Sequence, residues 1–141
     1  MNLIRDPARL IEVLKHPGVL PWVAPDGCLV EDFDFSSRMY LDLGRGYASF
    51  GKWAPDFWDV HVAMLPKSPP VAPLMRNALK WMEDVHGAMG FIANIPAINF
   101  PARRLARLCG FDECGRIPGA VVIGGGRVDI TIYSRRKQWK Q

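Results

Sequence analysis

The chain has 141 residues, 49% of them hydrophobic and 23% charged, with a formal net charge of +4 and a pI near 9.2. This composition excludes a disordered or fibrous chain, and the length suits one domain over 1–141 with a real core. Cys28, Cys109 and Cys114 are an odd set without metal-ligand spacing, which argues against a disulfide framework or a metal site and fits a reducing cytoplasm.

Asp6-Pro7 reads as the cap and first residue of a helix whose apolar face is Leu10, Ile11 and Leu14, with His16-Pro17-Gly18 as its stop. Val19 to Asp34 is irregular, with Pro21, Pro25 and Gly27 between large apolar residues and room for one short helix. Met39 to Leu43, Tyr47 to Trp53 and Phe57 to Met64 then read as an antiparallel meander, punctuated by Gly44-Arg45-Gly46 and Ala54-Pro55-Asp56. In its third strand Trp58, Val60, Val62 and Met64 alternate with Asp59, His61 and Ala63.

A proline-rich connector from Pro66 to Pro73 leads into the clearest helix, whose expected apolar face is Val71, Leu74, Met75, Ala78, Met82 and Val85. Phe91 to Ile95 is a short apolar strand. The stretch Asn99-Phe100-Pro101-Ala102-Arg103-Arg104-Leu105-Ala106-Arg107-Leu108-Cys109-Gly110-Phe111 follows. Pro101 suits its first turn, Gly110 the left-handed position beyond its end, and Ala102, Leu105, Ala106 and Cys109 form an apolar stripe. Ile117 to Ile123 and Val128 to Tyr133 close the chain as a hairpin around three glycines, and 134–141 reads as a loose basic tail.

Asn99, Ala102, Leu105, Gly110 and Phe111 fall on the pattern N-x-x-A-x-x-L-Y-x-x-x-G-F. It resembles the penultimate-helix motif of the GNAT superfamily of acyl-coenzyme A N-acyltransferases. The order of elements agrees with that fold independently. The resemblance implies an α+β fold of GNAT type, a mixed central sheet of about six to seven strands flanked by helices. It departs at Ala106, where many members carry a tyrosine acid, and at the connector, where a loop like Q/R-x-x-G-x-G/A is replaced by four prolines and no glycine.

The resemblance implies that acetyl-coenzyme A is the cosubstrate, its pantetheine inserted between two splayed strands and its pyrophosphate set at the N-terminus of the main helix. Strand backbone at Met64, Leu65 and Asn94 would meet the pantetheine. Lys67, Ser68 and the amides of Val71 and Ala72 would meet the phosphates, with Asn99 on the cofactor or on its own helix. Arg103 is favoured over Arg104 and Arg107 for a further phosphate.

For acid–base work the pair Asp59 and His61 is expected to be catalytic, because a neutral imidazole can take a proton from an ammonium group. Tyr40, Asp42 and Glu31 are further candidates on the acceptor side, and a strand histidine held merely by Asp59 or backbone is the plain alternative. A small-molecule or protein amine would be the acceptor. The absence of a long apolar run and of nucleic-acid motifs argues against membrane and nucleic-acid partners. Five tryptophans and seven phenylalanines predict an aromatic core or an apolar surface covered by a partner, such as a second copy in a homodimer.

Two functions follow. The first is transfer of an acetyl group to a primary amine. The second is a catalytically silent GNAT-fold protein used for binding or structure. The His-containing strand and N-x-x-A-R-R-L helix also resemble those of some phage and prophage proteins, which would suit a virion accessory component.

Overall fold

The computed structural model describes residues 1–137. Its order is α1 (Pro7–Leu14), α2 (Leu20–Val23), β1 (Met39–Asp42), β2 (Gly46–Ala54), β3 (Phe57–Met64), α3 (Val71–His86), β4 (Gly90–Pro96), α4 (Phe100–Leu108), β5 (Asp112–Ile123) and β6 (Gly126–Arg136). The strands form one six-stranded sheet in the order β1-β2-β3-β4-β6-β5. Its pairs are antiparallel except β3–β4, which are parallel. Leu3 adds an isolated bridge to Leu41 at the β1 edge.

Alternation along β1 to β3 feeds two cores, one on each face of the sheet. Leu41, Ala48, Phe50 and Val60 pack with Phe91 of β4 against α3 and α4. Tyr40, Tyr47 and Ala63 pack against Leu10, Val13 and Leu14 of α1 and Val19. On α3 the buried residues are Met75, Ala78, Leu79 and Met82, an i, i+3, i+4, i+7 stripe. Val85, expected on that stripe, is 57% exposed: it keeps the angular phase of Ala78, seven residues earlier, but stands in the last turn of the helix, one residue before its end at His86.

β5 and β6 are longer than the expected hairpin. β5 begins directly after Phe111, and bulges between Glu113 and Gly115 and between Ile117 and Val121 absorb the turn-like Gly115 and Pro118-Gly119. Ser134, Arg135 and Arg136, read as the start of a loose tail, complete β6 opposite Ile92, Phe91 and Gly90. Arg135 is held there by Glu83 of α3 at 3.0 Å and by the Cys109 carbonyl at 3.2 Å. The remainder of the expected tail, 138–141, lies outside the described residues. No helix among the described residues is long and apolar enough to cross a membrane.

Candidate active site

β3 and β4 pair only over Phe57↔Gly90, Trp58↔Phe91 and Asp59↔Ile92, then separate. The peptide groups facing the resulting gap follow from ladder parity. Leu65 donates to the Arg45 carbonyl on the β2 side, so Ala63 and His61 also turn their peptide groups to β2, leaving those of Val62 and Met64 to the gap. On β4 the Met89 carbonyl and the Ala97 N–H bond to the β6 side, which leaves the Asn94 peptide facing β3. The peptide groups of Met64 and Asn94 thus face the gap. Leu65 does not, since its N–H is already engaged, and Val62 stands in its place.

Behind the gap lies a cavity of about 100 Å³ bounded by Val60, Ala93, Ala106 and Phe111. It continues along the end of β3, between Met64, Val71, Ala72, Asn99 and Arg104, as a groove of about 520 Å³. On the opposite face of the sheet a pocket of about 450 Å³ is walled by Phe33, Phe35, Tyr40 and Tyr47, with Asp34 and Arg38 among its polar groups. His61 and Asn94 line both the inner cavity and this pocket. Trp22 and Val23 of α2 border all three spaces.

Around His61 the geometry is set by Arg38, which sequence reasoning did not single out. Its Nη1 donates to Asp59 Oδ1 at 2.6 Å, and its Nη2 to the Ser49 carbonyl at 3.1 Å. Asp59 Oδ1 also accepts from the Gly51 N–H at 3.0 Å. A side chain at position 51 would put Cβ 2.5 Å from Arg38 Nη1 and 2.6 Å from Asp59 Oδ1, so glycine makes this junction sterically possible. Asp59 Oδ2 lies 3.8 Å from His61 Nε2. The His61 side chain keeps 48% of its surface exposed; partial burial, then the Arg38 charge, lower its imidazole pKa below the ordinary 6.5, against the opposing pull of Asp59. Asp59 and His61 do share one face, but Asp59 is bonded first to Arg38.

Among the acceptor-side candidates, Tyr40 lines the pocket with Tyr47, their rings edge to face at 5.2 Å. Burial raises both phenol pKa values and keeps them neutral. Asp42 is held by Arg9 at 2.7 and 2.8 Å, and Glu31 pairs with Lys15 at 3.3 Å on the surface. Neither of these two borders the pocket.

At the α3 end, Pro70 caps the helix without a side-chain bond, and Pro73 removes one of the first-turn donors. The free amides there are those of Val71 and Ala72, since the Leu74 N–H makes the first intrahelical bond. Lys67 takes φ +62, the left-handed conformation that a glycine would adopt without strain. Arg45 braces the same turn, its Nε and Nη2 donating to the Pro66 carbonyl at 3.2 and 3.0 Å. Val71 and Ala72 line the groove, whereas Lys67 and Ser68 sit in the turn that leads into the helix and are not among its lining residues.

Asn99 caps α4, its Oδ1 accepting from the Ala102 N–H at 3.3 Å, while it also lines the groove and the inner cavity. Arg103 faces elsewhere: Nε donates to the Tyr133 hydroxyl at 3.0 Å and Nη1 to the Ala97 carbonyl at 2.9 Å, and its side chain is only 14% exposed. One residue on, 100° around the helix, Arg104 borders the groove. The cap at Asn99 fixes that phase, and it is the signal that could have separated the two arginines.

No protein-family model matches the sequence, nor does that of any curated protein. Solved structures do match. A GNAT-family acetyltransferase from Bacillus anthracis aligns at 16% identity with a TM-score of 0.61, over 71% of this chain and 66% of that one. The spermidine N-acetyltransferase from Vibrio cholerae, solved with CoA and spermine, aligns at 18% and 0.61, over 70% and 64%. A ribosomal-protein-alanine N-acetyltransferase from Brucella melitensis aligns at 20% and 0.60, over 71% and 68%. The aligned part spans just under two thirds of the first two chains. The architecture is α+β, a mixed six-stranded sheet flanked by helices, with one parallel pair that parts. The chain has the GNAT fold.

Proposed function

We propose that this protein is an N-acyltransferase that moves an acyl group from acyl-coenzyme A, acetyl-coenzyme A being the simplest donor, to a primary amine. The observation that carries this reading is the shared position of His61 and Asn94, on the wall between the parted strands and the aromatic pocket. Donor backbone would pair with the free peptide groups of Val62, Met64 and Asn94. Its phosphates would meet the amides of Val71 and Ala72, the Lys67 and Ser68 side chains and, across the groove, Asn99 and Arg104. This assignment moves the cationic role from Arg103 to Arg104.

The amine would approach from the aromatic pocket, where the Asp34 carboxylate suits its positive charge and the rings its apolar body. His61, held neutral, takes one proton from the ammonium. The free nitrogen then attacks the thioester carbonyl, which a gap-facing N–H of Val62 or Met64 polarises. When the carbon–sulfur bond breaks, the second proton passes from the attacking nitrogen to the thiolate, directly or through His61, since Ala106 supplies no phenol. Asp59 and Arg38 act as positioning residues. Placement of the two reactants supplies most of the rate enhancement.

Ala106 and the glycine-free turn at Lys67 favour the second reading, a GNAT-fold binding protein without catalysis. Isothermal titration with coenzyme A and acetyl-coenzyme A separates the two. We expect micromolar binding that weakens at least about tenfold in Arg104→Glu and much less in Arg107→Glu. Absence of binding near millimolar concentration overturns the transferase.

A further inference from the structure

The cavity that opens from the gap is larger than a two-carbon acyl group needs, and its inner walls are of one kind. Val60, Met75, Ala93, Ala106, Cys109 and Phe111 bound it, and all are buried, at 3–7% exposure. The Cys109 thiol adds no free polar group, since it donates to the Ala72 carbonyl at 3.9 Å. Polar lining from His61, Asn94 and Asn99 belongs to the side facing the gap and the groove. Ala106 stands where the family resemblance expects a tyrosine ring, so α4 leaves open a space that a phenol would otherwise fill.

A space of about 100 Å³ is several times the ~10–15 Å³ that one water requires, and it approaches the ~150 Å³ of apolar cavities that admit benzene. Its inner side, away from His61, Asn94 and Asn99, gives water too few partners. Its chemistry matches a short hydrocarbon chain.

We propose that this cavity receives the acyl tail of the donor, and that the preferred donors are thioesters of about four to six carbons rather than acetyl. The inference rests on the acyl-coenzyme A reading above. The carbonyl carbon stays at the gap beside His61 and Asn94, while the tail runs between the strands toward Ala106. Each methylene buried this way is worth about fourfold in affinity.

Titration of the full chain with coenzyme A, acetyl-, butyryl- and hexanoyl-coenzyme A tests this directly. We expect butyryl-coenzyme A to bind about fifteenfold more tightly than acetyl-coenzyme A. In Ala106→Leu, which fills the cavity, the ratio between them should fall to about one. Cys109→Met provides a second way to fill the space should that variant not fold. If coenzyme A and acetyl-coenzyme A bind and the longer thioesters bind no more tightly, the acyl cavity is overturned and the transferase stands. If coenzyme A itself does not bind, both are overturned.

Discussion

Arg38 bonds Asp59 at 2.6 Å and, with removal from water, lowers the pKa of His61. Loss of the guanidinium would remove the charge that opposes Asp59 at the imidazole, leaving only burial against it. In Arg38→Gln the His61 pKa is therefore expected to rise. An NMR titration of the His61 ring would read the shift, and the acid limb of kcat/KM would move to higher pH with it. An unmoved pKa would mean that Arg38 serves the fold and not the histidine. The sign for stability follows from the same shift. Between the lowered value and 6.5 the unfolded chain binds more protons than the folded one, so this contribution is complete above 6.5 and is lost as pH falls through that window. Asp59 and His61 were legible in the sequence because strand alternation puts them on one face. Arg38 was not: its partners Ser49 and Asp59 lie 11 and 21 residues away, and no local pattern announces them.

At the scale of elements, the start and end of most helices and strands were legible because punctuation and periodicity agree there. Asp6 and Asn99 do cap α1 and α4, and Gly110 takes φ +83 where a left-handed residue is needed. The final strand was hidden for the opposite reason. Charges at Arg135 and Arg136 imitate a solvated tail, whereas the Glu83 partner that orders Arg135 is 52 residues distant. The Glu83 side chain is only 11% exposed, so Arg135→Ala strands a carboxylate against the core and also frees the Cys109 carbonyl. We expect a loss of about 1–3 kcal/mol in urea unfolding. A change within about 0.5 kcal/mol, the usual range at plain surface sites, would restore the view of residues 134–136 as a tail.

The whole molecule separates two routes to one point. The groove along β3, α3 and α4 ends at the gap from one side, and the aromatic pocket beneath α1 and the β5–β6 hairpin reaches it from the other, with Trp22 and Val23 as the partition. Asp26 fastens that partition to the hairpin, accepting from Gly124 N–H at 3.2 Å and Gly125 N–H at 2.8 Å. The overall plan could be read from the order of elements. The partition could not, because α2 is a four-residue turn of helix whose role comes from what it stands between. For the proposed transfer between two substrates the partition has a kinetic meaning. Neither reactant has to pass through the other's doorway, so either can arrive first and either product can leave first. Initial-rate measurements with both substrates varied should then give intersecting lines, and free coenzyme A should compete with the thioester while leaving the amine's access open. A compulsory order with the thioester always leading would mean that the second doorway opens only after the first is filled.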